Sequence, residues 1–454
     1  MLITSHSFAT RRPELSKADW DKIVKPKEGQ GDLVSLDKAP DQDHFETIGE
    51  AKARVGQLNF HPIDPFVASI ASSVAGGRVE IPKGETVLEL QVPEYYREGV
   101  EVQMFAPHGE KAPMMVILPG IHGTGDGSLT QQLKKIALDK GMNYVVIPNA
   151  LGPEMMEDKP LFHPGNPRVE AQAAQKVLER LKADHPGHFE TVSVAGYSYG
   201  GLLGANMVRL QEEQGTDLIN GSFVALSPPE NLAHSMQELD GLRQVYAEDG
   251  GSIALTGLKY RRHVAKYGYE RFMESSLSQR DQTSNITEVK IADRYGSRDE
   301  HENTTNTVDE HFQHDLLPKH TEEYQEAGFF KRRRMRREHD RLLDETNYDR
   351  YSSDYFSKDK WLIEQGLTTE KLAEQYSFTK AMEVIEETPV MLLGSADDYI
   401  LSDKDVEALR DLENNPGELE VVRVFDHGGH VGLLWNPEVQ EAVGDFVIRR
   451  PESV

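Results

Sequence analysis

Two rhythms of apolar and polar positions run along this chain. Short, almost wholly apolar runs recur: Met114-Met-Val-Ile-Leu118, Asn143-Tyr-Val-Val-Ile-Pro148, Thr191 to Ala195, Gly221 to Pro228, Val390-Met-Leu-Leu393 and Leu419 to Phe425. Runs of this length, rich in β-branched residues and bounded by Gly, Pro, Asn or Asp, predict strands buried on both faces. Upstream, Glu89–Val92 and Val100–Phe105 alternate as strands with one polar face do. Between the runs lie segments with a helical apolar stripe, among them Glu170–Ala183 and Leu202–Leu210. Asn436-Pro437 opens a last helix, with Asn as cap and Pro at the first helical position. Strand–helix alternation of this kind predicts an α/β fold, a mainly parallel, doubly wound sheet with helices on both faces.

The rhythm fails at both ends of this core. Residues 1 to about 60 are polar, with Lys25 to Asp32 reading as a loop. Asp64-Pro65 to Gly76-Gly77 reads as a capped helix too short to span a bilayer. From about 231 to 385 the chain is charged and helical in composition, and Gln279–Thr307 shows little apolar period. The expected organisation is therefore an N-terminal extension (1–77), a first core part (78–230), an insertion (231–385) and a second core part (386–454).

Composition narrows the chemistry. With 50 Lys and Arg against 76 Asp and Glu, the net charge of −26 argues against nucleic acid and against anionic membrane surfaces as partners. The 454 residues contain no cysteine, which excludes disulfides, thiolate catalysis and cysteine-bound metal. A mean hydropathy of −0.57 points to extensive solvated segments. The N-terminal residues lack a basic stretch followed by a long apolar run, so no signal peptide or integral membrane segment is expected, and a cytoplasmic location is.

The candidate chemistry lies at the ends of the apolar runs. Val192-Ser-Val-Ala-Gly-Tyr-Ser-Tyr-Gly-Gly201 carries Gly196, Ser198 and Gly200 between a strand and a helix. That is the Gly-x-Ser-x-Gly order of a nucleophile elbow, where a strained turn lifts the serine hydroxyl clear of the backbone. A serine needs a base, usually histidine, oriented by a carboxylate. Downstream, the Val390 run leads into Asp397 and Asp398, and the Leu419 run leads into His427-Gly-Gly-His430. The oxyanion formed on attack needs preset N–H donors. One is expected from Tyr199, after the serine, and another from the glycine-rich loop Pro119 to Gly127.

Taken together these segments resemble the α/β-hydrolase superfamily over about residues 78–230 and 386–454, and the resemblance implies that the insertion 231–385 is a cap or lid. Gly428-Gly429-His430-Val431-Gly432 looks like the Gly-Gly-His-x-Gly segment of an esterase branch that includes abhydrolase-domain and YheT-like proteins. The resemblance implies Ser198 as nucleophile, His430 as general base and Asp397 as the acid, with Asp398 as runner-up and His427 as a competitor for the base. It also implies Ile121 and Tyr199 as oxyanion donors. The family's usual His-Gly is Pro119-Gly120 here, and a shifted register through His122-Gly123 makes Thr124 the donor instead.

The implied activity is cleavage of a carboxylic ester, carboxylesterase or lipase-like, on a small-molecule or lipid-like substrate, with no cofactor and no metal. The alternatives are an acyltransferase using the same triad and a non-catalytic binding protein on a hydrolase fold. Oligomeric state is not legible. In the insert, Lys331–Arg337 is a basic run suited to a solvated helix face or to an anionic group. His311 and His314 share a helical face near His301, although such spacing is cheap as a metal signal. Tyr348, Tyr351, Tyr355 and Phe356 recur at helical spacing, which suits core packing or the lining of an acyl pocket.

Overall fold

The computed structural model describes residues 47–58, 81–248 and 351–448, except 98, 122, 153, 154 and 156–159, together with Phe60, Pro65, Ala68, Ser69 and Ser72. Asp64, the basic run 331–337, His301, His311, His314 and Tyr348 lie outside the described residues, as does most of the expected cap insertion.

The strands are β1 (Thr86–Leu90), β2 (Val100–Phe105), β3 (Met114–Leu118), β4 (Asn143–Val146), β5 (Val192–Tyr197), β6 (Phe223–Leu226), β7 (Val390–Ser395) and β8 (Glu420–Phe425). They form an eight-stranded sheet in the order β1-β2-β4-β3-β5-β6-β7-β8. The β1–β2 and β2–β4 pairings are antiparallel, and the five others are parallel. Strand order reverses around β3, so the C-terminal ends of β3 and β5 flank a switch point, where open α/β sheets place their ligands.

The apolar runs are continuous because each strand feeds two cores. In β3, Met114, Val116 and Leu118 join one cluster while Met115 and Ile117 join the other. In β7, Val390 and Leu392 divide from Met391 and Leu393 in the same way. This is the period-two alternation of a strand covered on both faces. The first face is covered by α3 (Pro167–Asp184) and α4 (Tyr199–Gln214). The opposite face is covered by α1 (Ile48–Gln57), α2 (Ser128–Asp139) and α10 (Pro437–Val447).

The strands expected from the sequence are all present, and β3 ends at Leu118 as expected. The polar reading of residues 1 to about 60 omitted α1. Thr47 and Glu50 form a capping box there, with Thr47 N–H donating to Glu50 at 2.8 Å. Ala51 and Val55 are its only buried residues, too sparse a stripe to stand out by periodicity. The described flanks of segment 231–385 comprise α5 (Leu232–Glu248), α6 (Lys360–Gln365), α7 (Thr369–Gln375) and α8 (Phe378–Met382), followed beyond β7 by α9 (Asp403–Asn414). Leu232, Leu239, Tyr351, Phe356, Leu372 and Phe378 join the same apolar cluster as α3 and α4, so these flanks pack into the main core. Among the described residues no helix is long and apolar enough to cross a membrane.

Candidate active site

Ser198 occupies the turn between β5 and α4 with φ 53° and ψ −131°, a strained conformation for a residue bearing a side chain. Its N–H donates to Leu226 O at 2.8 Å, which ties the elbow to β6. Two glycines make the turn possible. A Cβ on Gly196 would lie 2.2 Å from Gly200 O, and one on Gly200 would lie 2.0 Å from Leu118 O. Strand, helix and the neighbouring β3 are thus closer than any side chain permits. Ser198 is half-buried and sits at the N-terminus of α4, where backbone N–H groups lack intrahelical partners.

His430 reaches Ser198 from the loop after β8. Its Nε2 lies 2.8 Å from Ser198 Oγ. Its Nδ1 lies 2.9 Å from Asp398 Oδ2. With a carboxylate on Nδ1, that nitrogen carries the proton, and Nε2 accepts from the serine hydroxyl. Both side chains of the His430–Asp398 pair are withdrawn from solvent, at 6% and 0% exposure. Asp398 Oδ1 accepts from Ile400 N–H at 3.1 Å, which fixes the carboxylate's other oxygen. Tyr399 packs edge-on against the imidazole, centroids 5.7 Å apart.

The expected pairing of Asp397 with the imidazole is corrected here by one residue. In an extended segment neighbouring side chains point to opposite sides. β7 instead ends at Ser395 and turns, with Asp398 N–H returning to Ser395 O at 3.3 Å. The turn delivers Asp398 to His430. Asp397 Oδ1 accepts from Gly429 N–H at 2.8 Å, and its Oδ2 lies 3.4 Å from His427 Nδ1. Burial raises the Asp397 pKa above the usual carboxylate range, against the opposing pull of the Gly429 N–H and His427. His427 thus lies against Asp397.

The loop after β3 closes over the serine. A Cβ on Gly120 would fall 3.0 Å from Ser198 Cβ, and one on Gly123 would fall 2.2 Å from the Tyr197 hydroxyl. Ile121, half-buried, follows directly on Gly120. Thr124, the donor in the alternative register, is engaged in the turn that starts α2. Its carbonyl accepts from Gly127 N–H at 3.0 Å and from Thr130 Oγ at 2.8 Å. His122 lies outside the described residues. Among the described residues neither Ile121 N–H nor Tyr199 N–H donates a hydrogen bond.

Three supporting residues escaped the sequence reading. Asn149, after β4, donates through Nδ2 to Pro119 O at 3.1 Å and Gly120 O at 2.7 Å, which holds the closing loop. Glu170, on α3, is buried and accepts from Gly165 N–H at 2.6 Å and Ala150 N–H at 3.3 Å. Burial pushes its pKa up to about 7. The buried Tyr199 hydroxyl lies beside it, and burial with that neighbour raises the phenol well above its ordinary value. Ser227, after β6, donates its N–H to Leu393 O and accepts from Val431 N–H at 3.1 Å. A polar residue directly after an apolar run is the one signal shared by Asn149 and Ser227, and it is too common to single them out. No group of His, Asp or Glu among the described residues is arranged to hold a metal ion.

Strand order, the strained serine at the end of β5 and the closing loop after β3 define the α/β-hydrolase fold. No family model matches the chain, and no curated protein matches it in sequence. Among solved structures, it is similar to an esterase from Pyrococcus furiosus at 10% identity, TM-score 0.43, covering 81% of this chain and 92% of that one. It is also similar to an esterase from Pyrobaculum calidifontis at 13% identity, TM-score 0.41, covering 84% and 89%. A thermophilic carboxylesterase from a metagenomic library matches at 11% identity, TM-score 0.41, covering 84% and 92%.

Proposed function

We propose that this protein is a serine hydrolase that cleaves a carboxylic ester. The observation that carries the reading is the continuous hydrogen-bonded chain Ser198–His430–Asp398, with contacts of 2.8 and 2.9 Å. In this reading His430 Nε2 takes the hydroxyl proton as Ser198 Oγ attacks the ester carbonyl. Asp398 holds the imidazole in the correct tautomer and offsets its positive charge. The oxyanion is met by the N–H groups of Tyr199 and Ile121. Collapse of the tetrahedral intermediate breaks the C–O bond, and His430 returns the proton to the departing alcohol. Water then attacks the acyl-enzyme with His430 again as base, releasing the acid and restoring Ser198.

A groove lined by Leu232, Met236, Tyr351, Phe356, Leu372 and Ala373 suits the apolar part of such an ester. Tyr351 and Phe356 stack there with centroids 6.2 Å apart. Gly165, which lines the groove, donates its N–H to Glu170, the neighbour of Tyr199.

The test is labelling by a fluorophosphonate together with turnover of short p-nitrophenyl esters. Both should occur in wild type and vanish in Ser198→Ala with folding intact. Equal turnover by Ser198→Ala overturns the proposal.

A further inference from the structure

Backbone conformation picks out a second feature of the site. Among the described residues, the non-glycine residues with positive φ are Ser198 at 53°, Ser227 at 45° and Val431 at 55°. The first is the elbow serine. The other two are joined by the hydrogen bond from Val431 N–H to Ser227 Oγ. A β-branched residue in the left-handed region is a genuine outlier, and it persists only where its surroundings over-determine it. Ser227 and Val431 are both buried, so the bond is shielded from water.

The residue on the other side of His430 is held in the same manner. Gly429 N–H donates to Asp397 Oδ1 at 2.8 Å. The N–H groups of the residues before and after His430 are thus gripped by side chains that follow the ends of two neighbouring parallel strands, β7 and β6. Close contacts remove other freedom from the loop. A Cβ on Gly428 would fall 2.3 Å from Ser395 Oγ, and one on Gly429 would fall 1.9 Å from Pro65 O.

We propose that Ser227 and Asp397 are positioning residues, a two-point clamp on the backbone N–H groups of the residues before and after His430 that sets the angle at which its imidazole meets Ser198. This rests on His430 being the base of the reaction proposed above. Asp398 fixes the tautomer and one edge of the ring. It cannot by itself fix where the ring's Cα sits, because the loop carrying it contains two consecutive glycines, Gly428 and Gly429, with φ 153° and 61°. Two acceptors on rigid strand ends, one on each flank, supply that constraint. The clamp requires an acceptor atom at each position and no particular charge.

The chemistry therefore dictates the test. Ser227→Ala and Asp397→Ala each remove an acceptor, whereas Asp397→Asn keeps one. Ser227→Gly relieves the positive φ but removes the acceptor. Each Ala variant, and Ser227→Gly, should lower kcat by about 10- to 100-fold with KM within about twofold, the cost of a base displaced from its reacting partner. Asp397→Asn should restore most of the loss. Thermal denaturation identifies any variant that fails to fold, and the remaining single variants then carry the result. If Ser227→Gly matches wild type, or if the Ala variants raise KM and spare kcat, the clamp is wrong.

A second readout needs no turnover. The His430 Nδ1 proton, shared with Asp398, should give a downfield proton resonance that His430→Gln lacks. The Ser227→Ala/Asp397→Ala double variant should broaden or shift it, and an unchanged resonance overturns the clamp. Absence of Ser198-dependent turnover in wild type would overturn the hydrolase reading, and the resonance would still decide the clamp.

Discussion

The Asp398 carboxylate and the His430 imidazole meet at 2.9 Å with both side chains removed from solvent. A hydrogen bond in that setting is strengthened by the low local dielectric, and its loss leaves a buried partner unsatisfied. Asp398→Asn presents a neutral amide that favours the wrong imidazole tautomer. It should lower kcat by about 10⁴-fold, as such a change does in other serine triads, with folding retained. Asp397→Asn keeps an oxygen for Gly429 N–H and should cost far less. Steady-state kinetics on the two variants, with circular dichroism to establish folding, distinguishes them. The opposite ranking would reassign the acid.

Asn149 reports on the oxyanion loop. Its amide holds the carbonyls of Pro119 and Gly120, the two residues before Ile121. Replacement by Leu removes both donors and frees the loop that should present Ile121 N–H. Because the change acts through the loop, kcat should fall by about tenfold, less than the roughly 10²–10³-fold of deleting a direct donor. KM for a small ester should change little. A large rise in KM with kcat intact would place Asn149 in binding instead.

Glu170 and Glu230 predict a pH dependence of stability. Burial raises each from 4.5 to about 7. In that window the folded protein binds more protons than the unfolded chain, so stability must decline as pH rises from about 4.5 through about 7. Below the window both states are protonated, and above it both are ionised, so the dependence levels off. Each group's contribution is on the order of a few kcal/mol. Melting temperatures recorded across this range should fall with pH in wild type and fall less steeply in Glu230→Gln and Glu170→Gln. An identical slope in all three proteins would contradict the assignment.

The groove lined by Tyr351, Phe356 and Ala373 predicts selectivity for acyl length. Ala373 lies on its wall and is buried. Ala373→Phe fills the space that a longer chain would occupy. Over a panel of p-nitrophenyl esters, kcat/KM for the longer chains should fall relative to acetate by about 10-fold or more, since a lost methylene contact is worth roughly 1 kcal/mol. Acetate turnover should be nearly unaltered. A uniform loss across the panel would show that the groove does not receive the acyl chain.

Much of the architecture was legible in the sequence because the signals were local. Apolar runs such as Met114–Leu118 can be satisfied only by a strand covered on both faces, and the structure divides that run between two cores. Gly196 and Gly200 announced the elbow because a Cβ at either position would fall 2.2 or 2.0 Å from a backbone oxygen. Ser198 followed from the strand, turn and helix around it, and His430 from the likeness of Gly428–Gly432 to a Gly-Gly-His-x-Gly segment. The sequence by itself therefore determined the mainly parallel sheet, the elbow and the candidate serine and histidine.

Tertiary structure decided what depends on a turn or on pairs distant along the chain. Asp398 rather than Asp397 meets His430 because the backbone leaves β7 at Ser395 and bends, so the alternation of an extended strand no longer applies. Asn149 and Ser227 acquire their partners, Gly120 and Val431, only when the sheet brings neighbouring strand ends together. The buried setting that lifts Glu170 to about 7 arises where α3 packs beside Tyr199. Local patterning encodes which residues enter strands and turns. The geometry of a site is set by side chains and peptide groups that meet across the sheet, and no spacing along the chain specifies those meetings.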